Sequence, residues 1–196
     1  MITAIVLAAG LSKRMGKANK MLLPYKGKPV IAVTVDNIVA AGVSDIVVVT
    51  GFEQEKIQEV LNTRPVRIMS NPDYEKGMTT SIQKGIAHAK GNGYMICLGD
   101  MIHIMPGEYT LLTHRFNQAY TANSACIVVP FYKAGKGNPV IFSRHYHNDI
   151  MSNTDMEGCK NIVQANKQNI VAVEMENAHI LSDLDYPEDY AKLNNE

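Results

Sequence analysis

Short, nearly continuous apolar runs alternate with helical windows along the chain. Ala4-Ile5-Val6-Leu7-Ala8 opens the pattern and gives way to a polar stretch containing glycine. A helix is predicted over residues 30–41, where Val30, Ile31, Val33, Ile38, Val39 and Ala41 roughly follow the helical period and Gly42 supplies a stop. Residues 45–50 are β-branched after Asp45 and end at Gly51, a strand. A polar helix over residues 54–61, a strand over 66–69, a helix over about 79–90 and a strand over 94–98 follow. After an apolar run at residues 125–130 the rhythm loosens, with strands at 140–142 and 170–173 and helices near 144–151 and 157–165.

These runs lack strict alternation, so the strands should be covered on both faces. The β–α–β rhythm then predicts an open, mostly parallel α/β sheet with its functional loops at the C-terminal strand ends. No linker, repeat or low-complexity tract interrupts the 196 residues, so one domain over residues 1–196 is expected.

Composition mainly excludes. Lys+Arg and Asp+Glu both number 19, and a formal net charge of zero argues against a nucleic-acid groove or an acidic-membrane surface. Cys97, Cys126 and Cys159 are far apart with no CxxC pair, so neither a zinc cage nor a disulfide framework is expected. A reducing cytoplasm fits them best. No stretch is long and apolar enough to span a bilayer, and the apolar start lacks the basic region of a signal peptide.

Chemistry concentrates in the loop after the first strand. Small residues Ala8, Ala9 and Gly10 allow a ligand close to the backbone, Ser12 adds a hydroxyl, and Lys13, Arg14, Lys17 and Lys20 are four cations in a short span. Such a loop suits a di- or triphosphate; a solvated basic turn is the alternative. The spacing of Gly10 and Gly16, with Ala18 after Lys17, excludes a Walker loop, and no GxGxxG follows the first strand. Further on, Thr79, Thr80 and Ser81 mark a helix start, where hydroxyls cap and anions are attracted. Asp100, just past a buried strand, needs a cation or a turn amide beside it. His145 and His147 are two apart and do not share a helix face, so a metal pair is not expected. His103 is placed at the surface.

The stretch LAAGLSKRMGKANKMLLPYKGKPVI resembles the signature of the nucleotidyltransferases related to molybdenum cofactor cytidylyltransferase. Matches continue in order through Asn71-Pro72-Asp73-Tyr74-Glu75-Lys76-Gly77-Met78-Thr79-Thr80-Ser81, Leu98-Gly99-Asp100-Met101, Gly137-Asn138-Pro139-Val140 and Asp183-Leu184-Asp185-Tyr186-Pro187-Glu188-Asp189, nearly the whole chain. The resemblance implies a three-layer α/β/α fold with a mixed, mostly parallel sheet. It implies Mg²⁺-dependent transfer of a nucleoside monophosphate, CMP from CTP, to a phosphomonoester, molybdopterin first, releasing pyrophosphate. Handover to a molybdoenzyme or its chaperone would follow. Methylerythritol phosphate or a sugar phosphate as acceptor, or a nucleotide-binding cofactor-insertion chaperone, are the alternatives.

Residue by residue, the resemblance assigns Leu7, Ala8, Ala9, Gly10, Ser12, Arg14, Gly16, Lys20, Gly77 and Ser81 to the nucleotide. Lys20, Arg14 and Asp100 are the catalytic set, Lys13 faces solvent, and Asn138 and Pro139 lie toward the acceptor. Asp100 and Asp183 are the metal ligands, with Asp185 as the other candidate or a cap for the last helix beside Pro187. Two departures stand out: Ile102 follows Gly99-Asp100-Met101 where relatives commonly have proline, and Asn138 replaces a common histidine. Ala9 resembles the cytidylyl members, where guanylyl relatives carry glycine, and its Cβ should crowd a purine.

Overall fold

The structure, a computed structural model, describes residues 1–16 and 18–193; Lys17, one of the four loop cations, lies outside them. The elements run β1 (Ile2–Ala8), β2 (Pro24–Tyr25), β3 (Lys28–Pro29), α1 (Val30–Ala40), β4 (Asp45–Thr50), α2 (Gln54–Leu61), β5 (Arg67–Ser70), α3 (Met78–Ile86) and β6 (Gly93–Leu98). They continue with α4 (Pro106–Ala122), β7 (Ile127–Tyr132), β8 (Gly135–Lys136), β9 (Val140–Ser143), α5 (His147–Met151), α6 (Lys160–Ala165), β10 (Ile170–Glu174) and α7 (Pro187–Leu193).

The main sheet has the order β10-β7-β9-β6-β1-β4-β5, with β8 paired to β7. β1 lies parallel between β4 and β6, whereas β9 runs antiparallel to both β6 and β7. The sheet is therefore mixed and mostly parallel, the expected three-layer architecture. Every residue of β1 and of β4 is buried, which explains runs without alternation. Ala4, Val6, Val48, Met95 and Cys97 face a core built with α1, α2 and α4. Ile5, Leu7, Val47, Val49 and Ile96 face the other core, with α3, α5 and α6. All three cysteines are buried and free. Among the described residues, no helix is long and apolar enough to cross a membrane.

Three features depart from the sequence pattern. The 17-residue α4 carried no clear periodic signal, because only Tyr109, Leu112 and Phe116 of its length are buried. Their i, i+3, i+7 spacing is helical, but Thr, Asn and Gln residues dilute it. Second, α3 stops at Ile86 rather than near residue 90. The chain must turn there so that Gly91 passes under β1, where a Cβ would stand 2.6 Å from the Met1 carbonyl oxygen. Third, Gly77 occupies the N-cap position of α3, and no side chain caps that helix. The Thr79 hydroxyl donates to the Asp155 carbonyl, and that of Thr80 to the Asp73 and Gly77 carbonyls, each at 3.0 Å. They tie loops to the helix instead of capping it.

Gly85 lets α3 press against β1: a Cβ there would stand 2.3 Å from Ile5 Cγ2 and 3.2 Å from Val49 Cγ2. Gly85→Ala gains about 1 kcal/mol of helix propensity and meets an overpacking cost of about 1–3 kcal/mol. A net loss of stability is expected, read as a lower urea midpoint with an unchanged slope. An equal or higher midpoint would contradict this packing.

Candidate active site

Parallel pairing of β1 with β6 sets Leu7 beside Leu98, and the Gly99 amide continues the pairing by donating to the Leu7 carbonyl at 3.0 Å. Only glycine fits at 99, where a Cβ would lie 2.8 Å from that same oxygen. The loop leaving β1 and the carboxylate following β6 thus emerge side by side at the C-terminal edge of the sheet.

The loop is folded by its own polar groups. Ser12 adopts a left-handed conformation (φ 51°), and its Oγ accepts the Lys20 amide proton at 3.1 Å, closing the turn. A hydroxyl engaged as acceptor keeps its proton to donate outward. Asn19, buried, accepts from the Met21 amide at 3.1 Å and donates to the Phe52 carbonyl at 3.4 Å. These bonds deliver Lys20 inward, and its side chain is 16% exposed.

Asp100 is 3% exposed, and Lys20 Nζ lies 2.5 Å from its Oδ2. That oxygen makes no aligned hydrogen bond, so the contact is an ion pair with acceptor capacity unused. Lys20 also donates to Asp185 Oδ1 at 2.9 Å, and Arg14 donates to Asp185 Oδ2. The Arg14 guanidinium stands over the Tyr186 ring, 5.5 Å from its centroid. Burial works against the Lys20 ammonium, but Asp100 and Asp185 outweigh it and hold its pKa above the ordinary value. Burial likewise opposes ionisation of Asp185, and the hydrogen bond and charge of Lys20, then Arg14, bring its pKa below the usual carboxylate range. Asp183 is different. Its pKa is raised by desolvation and then by the charges of Asp100 and Asp185, against the pull of Lys20.

The opposite wall is the start of α3. Gly77, at φ +113°, approaches the chain at Met156, whose carbonyl accepts from the Met78 amide at 3.0 Å. Asn71, buried behind it, donates to Ser81 Oγ at 2.9 Å and Thr80 Oγ1 at 3.0 Å, fixing the first turn.

Between these walls lies a cavity of about 500 Å³, a size common for small-molecule sites. Leu7, Ala9, Gly10, Ser12, Arg14, Lys20, Gly77, Ser81, Asp100 and Asp183 all line it. Ala8 does not, since alternation turns it into the core at 1% exposure. Gly16 is exposed on the outer turn of the loop at φ +69°. Asn138 and Pro139 also lie outside it; the Asn138 amide donates to the Ile180 carbonyl at 3.0 Å, bracing the segment that carries Asp183. Lys13 is exposed, as expected, yet reaches the rim. Asp185 does not cap α7, because the loop cations hold it. Tyr74 and Met78 line the mouth without having been singled out as binding residues. Met78 gave a signal after the fact: it stays 43% exposed although apolar. A shallower cavity of about 440 Å³ adjoins across Asp183 and Asp185, walled by Leu181, Ser182, Tyr186 and Asp189.

The histidines lie apart from the cavity, and His103, expected at the surface, is only partly exposed. His145 is exposed, and His147 meets the Tyr94 hydroxyl at 3.0 Å. His103 is half-buried, its ring stacked on His179 outside the cavity.

Loop cations paired with carboxylates in one cavity, at the C-terminal edge of this sheet, put the protein in the nucleotidyltransferase class. It belongs to the family with the MobA-like NTP transferase domain, which it matches over residues 4–171. It is similar to the molybdenum cofactor cytidylyltransferase of Escherichia coli K12, 28% identical over 191 residues, 96% of this chain and 93% of that one. It is also 34% identical over 118 residues to nicotine blue oxidoreductase of Paenarthrobacter nicotinovorans, covering 58% of this chain and 57% of that one. The structure of Rv0371C from Mycobacterium tuberculosis H37Rv in complex with manganese shares the fold, with a TM-score of 0.83, 22% identity, and coverage of 100% of this chain and 98% of that one.

The raised pKa of Asp183 has a consequence for stability. A carboxyl whose folded pKa lies above its unfolded value costs stability when ionised, and the cost fades as pH falls through the carboxylate range. Asp183→Asn should therefore raise the urea midpoint of the nucleotide-free protein slightly at pH 7, with the gain shrinking toward pH 3. A lower midpoint at pH 7 would show that the repulsion is not felt.

Proposed function

We propose that the protein is a Mg²⁺-dependent cytidylyltransferase that transfers CMP from CTP to a phosphomonoester acceptor, molybdopterin in the first instance. Lys20, held between Asp100 and Asp185 in the main cavity, is the observation that carries this reading. Near full-length similarity to the E. coli cytidylyltransferase supports the nucleotide and the acceptor.

Asp100 and Asp183 suit a hard cation. Both offer carboxylate oxygens, one Asp100 oxygen has no aligned partner, and Mg²⁺ prefers one or two carboxylates plus phosphate oxygens. The manganese complex of Rv0371C supports a divalent cation in this fold. When bound, the ion would neutralise phosphate charge.

The chain's own groups supply the rest. Ala9 and Gly10 admit the base and ribose close to the backbone, opposite Gly77 and Ser81. Ser12 and Arg14 take the β- and γ-phosphates, and Lys20 the charge that grows on the leaving pyrophosphate. An acceptor phosphate oxygen, already ionised, attacks the α-phosphorus in line. The new O–P bond forms as the bond to pyrophosphate breaks, and no general base is required. The acceptor enters from the adjoining cavity beside Leu181 and Tyr186. The setting is cytoplasmic, and the product passes to a molybdoenzyme or its chaperone.

Pyrophosphate release with CTP, Mg²⁺ and candidate phosphorylated acceptors tests this directly. No release with any of them would overturn it. Asp100→Asn should keep the far-UV spectrum and lower kcat by orders of magnitude, because charge held at the phosphates is lost. Asp183→Asn should behave similarly, and wild-type turnover in either variant would remove that residue from the site.

Base choice rests on Ala9, 4% exposed at the cavity wall. A methyl-sized difference in fit is worth about 1–3 kcal/mol, roughly 10- to 200-fold. CTP should be preferred over GTP within that range in kcat/KM, and Ala9→Gly should narrow the gap. Equal or better turnover with GTP in the unmodified protein would rule out the cytidylyl assignment alone.

A further inference from the structure

We propose that Glu108 and His179 form a positioning pair: they hold the stretch carrying Asp183 and Asp185 in place relative to Asp100, and so set how tightly the site takes its divalent cation. This rests on the cation-dependent reading above.

The late carboxylates need such a hold. Asp100 sits two residues past β6, whose register with β1 is fixed. Asp183 and Asp185 stand instead on residues 182–185, which belong to no helix or strand. Their placement depends on what fixes the ends of that stretch. Its upstream end is the short turn His179–Leu181. Ile180 there is fully buried, and its carbonyl accepts the Asn138 amide, which ties the turn to the link between β8 and β9. From the other side His179 Nδ1 donates to Glu108 Oε2 at 2.9 Å.

Glu108 makes a stiff post. The same Oε2 accepts the Met105 amide at 2.8 Å, which locks the side chain across the first turn of α4. Tyr109, Leu112 and Phe116 bury that helix against the core. The Glu108 side chain is only 13% exposed, and its Oε1 is buried without a hydrogen bond. A buried oxygen left unpaired costs stability. Capping a helix does not require that burial, whereas reaching His179 does.

The segment after Asp100 grips the later stretch at two more points. Ile102, standing where relatives commonly have proline, shares a small apolar cluster with Leu184, the residue between the two carboxylates. Asn37 steadies that loop by donating to the Ile104 carbonyl at 3.0 Å and the Ile102 carbonyl at 3.4 Å. His103 adds its ring, stacked on His179 with centroids 6.1 Å apart. Ile102, His103, Glu108 and His179 all lie outside both cavities, so they act through the backbone of residues 182–185 and not on substrate. Mg²⁺ demands near-ideal ligand geometry, so a carboxylate that drifts binds it less well.

The test compares the unmodified protein with His179→Ala, Glu108→Ala, Glu108→Gln and the double alanine variant. Mn²⁺ binding to the nucleotide-free protein is read from loss of the free-ion EPR signal, and Mg²⁺ half-saturation from pyrophosphate release at saturating CTP. His179→Ala leaves the α4 cap intact and should weaken Mn²⁺ binding about tenfold, as losing groups that orient metal ligands does elsewhere. Its Mg²⁺ half-saturation should rise likewise, and excess Mg²⁺ should restore kcat, which general damage to the fold would not allow. Glu108→Gln should stay near the unmodified protein, because its amide oxygen still accepts from both partners. The double variant should bind Mn²⁺ no more weakly than the worse single one, since the two side chains act as one. If His179→Ala fails to fold, Glu108→Ala read against Glu108→Gln gives the same comparison. Unchanged Mn²⁺ binding in a folded alanine variant, or a lost rate that excess Mg²⁺ does not restore, would overturn the positioning role alone. An unmodified protein that takes up no Mn²⁺ would overturn the cation reading beneath it, and this proposal with it.

Discussion

A carboxylate buried at the end of a central strand must find a cation, and much of the site follows from how this chain supplies one. Asp100 is almost wholly withdrawn from water, a position worth several kcal/mol of penalty without a partner. Lys20 answers it from a different segment. The two meet because β1 and β6 are register-locked neighbours and because glycine at 99 lets the backbones touch. The loop is bent so that its second half returns over the strand end, which the Ser12–Lys20 bond secures. Substrate chemistry is built on this pair.

The two walls differ in character. The loop wall is charged and partly exposed, with Arg14 open to solvent. The α3 wall is neutral and stiff: Asn71 is buried, Gly77 abuts the Met156 carbonyl, and Gly85 presses the helix onto Ile5. A rigid neutral face suits recognition of a base by shape, whereas a displaceable charged face suits phosphates that change bonding during turnover.

The sheet was legible because burial on both faces leaves an unmistakable mark: β4 covers the expected 45–50, and α2 matches its expected bounds. The long α4 was not, since three inward side chains among polar neighbours give a weak period. In the site, the loop residues and Asp100 could be picked out because motif and local chemistry coincide. The two late carboxylates could not be separated from sequence, as Asp183 and Asp185 sit two apart with similar flanks. Only their distant partners distinguish them, Asp185 bound to cations and Asp183 pressed by like charges. The Gly137-Asn138-Pro139 motif, assigned to the acceptor by resemblance, braces Ile180 from behind and does not line the main cavity.

The contact between Arg14 and Asp185 joins residues 171 positions apart, and that between Lys20 and Asp185 spans 165. Contacts of such separation close late, after local and neighbouring-strand pairings have repaid part of the lost chain entropy. During synthesis the phosphate loop is made well before its counter-charge, with more than 160 residues between them. Until then its cations lack the Asp185 carboxylate. The segment carrying Asp185 therefore acts as a seal on the assembly, giving Arg14 and Lys20 their shared carboxylate only once the strands between have folded.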